Sequence, residues 1–415
     1  MTSFLQLAFL LSIILAAAKL GGYLAMRVGQ PSVLGELLVG LLLGPSLIDV
    51  VHLPLITNTH MGEMIAEMAE IGVLLLMFLA GLELHLSELA RNMRVSAFGG
   101  SLGVLIPVIL GSLAGVVSGL ETNQAIFLGL TMGATSVSIS AQTLMELKVL
   151  RSRVGLGLLG AAVFDDVLVI LFLSIFLAIV QGGASVAAIL LVIGQMVAFL
   201  LLSAGIGLWG LPWLAEKVSK MHISQGAVTL AIIVMLTYGL AAELVGGMAA
   251  ITGAFVAGLM FGRTPYRTAI SGGMQSLAYA FFVPIFFVNI GFSINLSQLQ
   301  LSTLWLAFGI SLLAVFGKIL GGGLGARLGK FTWRESLQLG IGMVSRGEVG
   351  LIVAKVGVDA GLVSNELLSA IVAMVLVTTL VTPPMLRAAF AGSSANSSSG
   401  KIGGEDAFVT GKETA

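Results

Sequence analysis

Cysteine is absent from the 415 residues, which excludes a disulfide framework and a thiolate metal site. Histidine is scarce, and four scattered copies give no zinc-binding spacing. Charge is scarce as well: charged residues make up 10% of the chain, against about 25% in a soluble domain. Twenty Lys and Arg balance twenty Asp and Glu, so there is no basic footprint for nucleic acid. What remains is apolar: 57% hydrophobic residues, 54 glycines and a mean hydropathy of +1.08. The composition is that of a polytopic membrane protein.

The apolar residues fall into runs of roughly 17 to 25, each long enough to cross about 30 Å of hydrocarbon as a helix. The first, Phe4 to about Met26, has its basic residues, Lys19 and Arg27, at or after its end, the reverse of a cleaved signal peptide. Further spans are expected near 33–48, 64–82, 95–118, 123–145, 154–180, 186–209, 225–243, 249–262, 275–292, 303–323, 336–356 and 367–386, thirteen in all. Charge tests the count. Loops after odd-numbered spans, with the C-terminal tail, hold sixteen Lys and Arg, and loops after even-numbered spans hold none. One missed helix would invert every later loop. The asymmetry places the N-terminus outside and the C-terminus in the cytoplasm.

The chain also repeats itself. Val33 to Ser46 aligns without gaps on Ile251 to Thr264, matching Gly35, Gly40 and Gly44 with Gly253, Gly258 and Gly262 at an offset of 218. In the next span Gly81, Leu86, Ser87 and Leu89 match Gly291, Leu296, Ser297 and Leu299 at an offset of 210. Matching spans are seven apart, an odd number, so the two halves run through the membrane with opposite orientation. Such repeats mark secondary transporters, whose sites lie at mid-membrane where helices break. Two breaks are expected, in Gly133-Ala134-Thr135-Ser136-Val137-Ser138-Ile139-Ser140 and in Gly342-Met343-Val344-Ser345-Arg346-Gly347-Glu348-Val349-Gly350.

Asp165 and Asp166 interrupt an apolar helix, where each ionised carboxylate costs about 2.5–3.5 kcal/mol. Neighbours on a helix point about 100° apart, so the two cannot share a partner. One can hold a counter-charge, for which Lys318 is the candidate, while the other faces a water-filled cavity. A hard carboxylate oxygen suits Na+ as well as H+, and hydroxyls of Thr135 and Ser136 with freed carbonyls could complete an oxygen shell. Glu36 and Glu243 read as span-end residues, and Glu63, Glu67 and Glu70 as one helical face at an entrance. Gly155-Leu156-Gly157-Leu158-Leu159-Gly160 fits a nucleotide-binding pattern but lies inside an apolar helix without a strand before it, and reads as helix packing. Residues 391–415 are polar and are expected to be disordered, after a transmembrane domain over 1–390.

Four motifs, in order, resemble the cation:proton antiporter-2 family, the bacterial sodium/proton antiporters related to Kef-type potassium efflux proteins: Ala134-Thr135-Ser136-Val137, Phe164-Asp165-Asp166-Val167, Gly317-Lys318-Ile319-Leu320-Gly321 and Ser345-Arg346-Gly347-Glu348-Val349-Gly350-Leu351-Ile352. The resemblance covers about residues 4–388. It implies an all-α sodium/proton antiporter fold with discontinuous crossing helices, and a homodimer with dimerisation helices and a mobile core built from spans near 95–180 and 303–386. It implies elevator-like alternating access, with Asp166 binding Na+ or H+ and Asp165 paired with Lys318. Thr135 and Ser136 fall at one break, Arg346 and Glu348 at the other. Two acids with a lysine resemble the electrogenic members, and the chain carries no cytosolic nucleotide-binding domain after the last span.

The expected function is thus an electrogenic Na+(Li+)/H+ antiporter of a prokaryotic inner membrane. Its partners are the bilayer, monovalent cations and protons; it is a transporter rather than an enzyme and takes no cofactor. The rivals are a K+/H+ antiporter, a sodium-coupled solute symporter, and a channel or transport-inactive sensor.

Overall fold

The computed structural model describes residues 2–84, 91–180, 186–221, 223–292 and 301–391. Those residues are helical and contain no β-strand. The tail, and the matched positions Leu86, Ser87, Leu89, Leu296, Ser297 and Leu299, lie outside them.

In chain order the helices are α1 Ser3–Arg27, α2 Ser32–Leu43, α3 Met61–Glu83, α4 Met93–Val117, α5 Thr122–Gly133, α6 Val137–Glu146, α7 Arg153–Val180, α8 Val186–Ser219, α9 Gly226–Leu244, α10 Ala250–Phe261, α11 Arg267–Leu277, α12 Val283–Phe292, α13 Leu301–Leu328, α14 Trp333–Gly342, α15 Glu348–Asp359 and α16 Asn365–Phe390. Among the described residues ten helical runs are long and apolar enough to cross a membrane, with α5 and α6 counted as one and α11 and α12 as another. Ser32–Leu43 and Ala250–Phe261 are shorter apolar helices. With the broken run of α14 and α15, these cover the thirteen runs of the sequence. The chain is a multi-pass membrane protein.

The matched glycines account for how the halves pack. A Cβ on Gly35 would lie 2.1 Å from the Gly21 carbonyl of α1, and one on Gly253 2.1 Å from the Tyr238 carbonyl of α9. Gly40 lies against Val288 of α12 and Gly258 against Phe78 of α3. Gly291 and Gly81 return the contacts, to Gly40 of α2 and Phe255 of α10. Each half therefore lends a helix to the other's pair: α2 packs on α12 and α10 on α3. The six segments before α8 and the six after it form the two inverted repeats.

Packing sorts the helices into two groups. One contains α1–α3 and α9–α12; the other contains α4–α7 and α13–α16, centred on the α4–α13 pair. Helix α8 packs on α9 and α10 and touches α7. Where α11 meets α12, residues Ala278–Phe282 form a π turn. Pro284 has no N–H to return to the Tyr279 carbonyl, five residues back. That carbonyl instead accepts from Lys19 Nζ of α1 at 2.7 Å.

Candidate ion site at the helix crossing

Both expected breaks are present. Helix α5 stops at Gly133 and α6 starts at Val137, with extended backbone at Ala134 and Ser136. Helix α14, opened by a capping box of Thr332 and Glu335, stops at Gly342, and α15 starts at Glu348. Gly, Ser and Thr favour such interruptions because their side chains bond backbone outside a helix. The breaks hold each other. Ser136 N donates to the Ser345 carbonyl at 2.8 Å, and Ser345 Oγ donates to the Ser136 carbonyl at 2.5 Å. Ser140 Oγ donates at 2.6 Å to the Gly342 carbonyl, left open where α14 ends.

Arg346 closes the other open end. Its guanidinium, fully buried, donates through Nε (3.1 Å) and Nη2 (2.5 Å) to the Met132 carbonyl at the end of α5, through Nη1 to Val344 (2.9 Å) and through Nη2 to Ala314 (3.2 Å). A fixed cation there offsets the negative end of the α5 dipole. Thr379 Oγ1 of α16 in turn donates to the Arg346 carbonyl at 3.1 Å. The Glu348 backbone begins α15, but its side chain lies outside the described residues.

Asp165 and Asp166 stand on α7, and the 100° between them separates their partners. Asp165 faces α13, where Lys318 Nζ donates to its Oδ1 at 2.6 Å with both side chains fully buried. Gly100 of α4 permits that depth, because a Cβ there would lie 2.5 Å from the Ala161 carbonyl and 2.6 Å from Phe164 Cβ. The other oxygen, Asp165 Oδ2, and the Thr135 hydroxyl are buried, close to one another, and make no hydrogen bond of good geometry with the described protein groups. Buried polar atoms in that condition are expected to be satisfied by water, a proton or an ion.

Asp166, 8% exposed, turns toward the other helix group, and Thr252 Oγ1 of α10 donates to its Oδ2 at 3.4 Å. Thr252 was not among the residues singled out from the sequence. The signal was there, since it is the lone polar residue in Ala250-Ile251-Thr252-Gly253-Ala254-Phe255-Val256-Ala257-Gly258. Ser136, expected beside Asp166, bonds Ser138 Oγ at 2.9 Å. Glu36, expected near a span end, sits on the second turn of α2 and is enclosed by protein, only 6% exposed. Glu243, Glu63, Glu67 and Glu70 are exposed.

No cluster of three or more His, Asp or Glu side chains suited to a metal ion occurs among the described residues. The site offers instead carboxylates of unequal surroundings, hydroxyls and helix ends, which suit a singly charged hard cation and a proton.

Inverted repeats, two broken helices crossing, and buried acids opposite buried bases define a secondary transporter. The comparisons narrow this to a family: residues 12–392 match the family described as sodium/hydrogen exchanger, transmembrane, and the chain belongs to it. It is 39% identical over 382 residues to the Na(+)/H(+)-K(+) antiporter GerN of Bacillus cereus, covering 92% of this chain and 96% of that protein. It is 35% identical over 380 residues to a Na(+)/H(+) antiporter of Enterococcus hirae, covering 91% and 96%. In fold it resembles a sodium proton antiporter of Methanocaldococcus jannaschii, with a TM-score of 0.70 at 18% identity over 98% of this chain and 100% of that one.

Proposed function

We propose that the chain is an electrogenic Na+(Li+)/H+ antiporter of a prokaryotic inner membrane, in which Asp166 binds either a cation or a proton. The observation that carries this reading is the division of labour on α7: Asp165 is held by Lys318, and Asp166 faces the other helix group, where Thr252 Oγ1 donates to it. A carboxylate between two helix groups can exchange its occupant when the groups move. Thr135, beside Asp165, and Ser136 at the break supply oxygens near the crossing, and Arg346 with Glu348 belongs to the supporting charges of the other break.

The movement proposed is elevator-like, with α4–α7 and α13–α16 as the mobile core and the first helix group as the scaffold and homodimer surface. A bond that must break in such a cycle is visible: Glu146 of α6 accepts from Ser32 N at 2.7 Å and from Ser32 Oγ on α2. If Lys318 gives up its proton when Asp165 changes partner, a second titrating group enters the cycle and charge is moved. The basic loops put the C-terminus in the cytoplasm.

Proteoliposomes with an acid interior and a pH dye test this. Na+ and Li+ should collapse the gradient with the wild type and not with Asp166→Asn. Collapse by K+ alone would keep antiport and change the cation, which the name of the Bacillus cereus relative makes the second reading. Full exchange by Asp166→Asn would remove the assignment of the site.

A further inference from the structure

Beyond the crossing, a cavity of about 400 Å³ opens between the two helix groups, with room for roughly a dozen waters. Its scaffold side carries Lys19, Ser32, Glu36 and Glu83, and its core side Gln142 and Glu146. Of its three carboxylates, Glu83 has the Arg151 and Arg267 guanidiniums near it, and Glu36 and Glu146 share the one ammonium of Lys19, which also donates to the Tyr279 carbonyl. Glu146 is committed as well, to Ser32 and to Gln142 Nε2 at 2.9 Å.

Two groups on its wall keep oxygens that accept no hydrogen bond among the described residues. Glu36 lines the cavity, is 6% exposed, and makes no hydrogen bond among the described residues. Gln142, 7% exposed, has its amide orientation fixed because only its NH2 can donate to Glu146. Its Oε1 is thereby left as a buried acceptor with no partner among the described residues. A buried carboxylate and a buried carbonyl, both short of donors, are the two oxygen types that hold an alkali cation.

The internal repeat argues against a structural reason for Glu36. Its counterpart in α10 is Ala254, fully buried, so packing at this position of the repeat does not require a carboxylate. Gln142 lies six residues beyond Ser136 on α6, which places it about 9 Å along the helix from the break.

We propose that this cavity is a second cation site, where Glu36 and Gln142 Oε1 hold a partly hydrated Na+ or K+ on its way to or from the crossing. The binding stands on the cavity alone; its place in transport rests on the antiporter reading.

The test is equilibrium 22Na+ binding to the purified full-length protein in detergent, paired with initial rates of exchange. Asp166→Asn should retain saturable, weak Na+ binding, and adding Glu36→Gln should remove it. In transport, Glu36→Gln should raise the KM for Na+ about tenfold, more than it lowers the turnover rate, and Glu36→Asp should recover part of the loss. If Glu36→Gln does not fold, Gln142→Leu takes its place with the same expected direction. Residual binding unchanged by Glu36→Gln, or an unchanged KM, overturns the second site. Full exchange by Asp166→Asn would instead overturn the assignment at the crossing, and the Glu36 binding comparison would still decide this cavity.

Discussion

Gly40 and Gly258 do the same work in the two halves of the chain, each letting a helix of one half lie against a helix of the other, whereas the charged groups at the crossing have no such counterparts. Asp165 and Asp166 come from α7 of the first half. Lys318 and Arg346, the buried cations opposite them, come from α13 and the second break. Helix α16, the counterpart of α7, carries buried Thr378, Thr379 and Thr382 where it passes through the bundle. The backbone contacts keep the duplication because close packing depends only on the absence of a side chain. The site departs from it because a duplicated pair of acids would repel, whereas acids from one half and bases from the other offset each other's charge.

The largest expected effect comes from the base that holds the break. Arg346→Leu leaves the Met132, Val344 and Ala314 carbonyls without their donor and should cost about 3–5 kcal/mol and all exchange. Thermal melting in detergent and proteoliposome exchange read both. Arg346→Lys should restore little, because an ammonium cannot reproduce the planar fork.

The buried pair comes next. Lys318→Met strands the Asp165 carboxylate and should be less stable than the double variant Asp165→Asn/Lys318→Met, in which no charge is left unpaired. The double variant should exchange more weakly and without net charge movement, seen as dye response without current on a solid-supported membrane. A double variant no more stable than Lys318→Met would show that the pair is not coupled.

The smallest effects test the shared half of the comparison. Gly40→Ala and Gly258→Ala should each lose about 1–3 kcal/mol, because a Cβ at either meets backbone within 2.3 Å. Gly194→Ala, on α8 with nothing within 4 Å, should gain about 0.5–1 kcal/mol. Unequal losses at Gly40 and Gly258 would break the equivalence of the halves.

Much of this was legible before the structure. Span length and loop charge gave the crossings, the glycine register gave the repeat, and runs of Gly, Ser and Thr gave the two breaks, because each is a local property of the chain. Lys318 stands out as an intramembrane cation in Gly317-Lys318-Ile319-Leu320-Gly321, and the structure sets it 2.6 Å from Asp165. Three features depended on segments far apart in sequence. Thr252 meets Asp166 across the groups, Arg346 reaches the Met132 carbonyl 214 positions away, and Glu36 is enclosed by helices that the sequence does not place around it. The π turn at Ala278–Phe282 also escaped, since Pro284 signals a break in the ladder but not its form.

The central claim is that one carboxylate, Asp166, takes both the cation and the proton. The most direct measurement is the apparent KM for Na+ against pH in wild-type proteoliposomes, with Asp166→Asn as the blank. Competition at one site predicts that KM rises about tenfold per pH unit below the pKa of the site while the maximal rate stays level, and that Asp166→Asn gives no signal. A KM that does not change with pH would contradict a shared site.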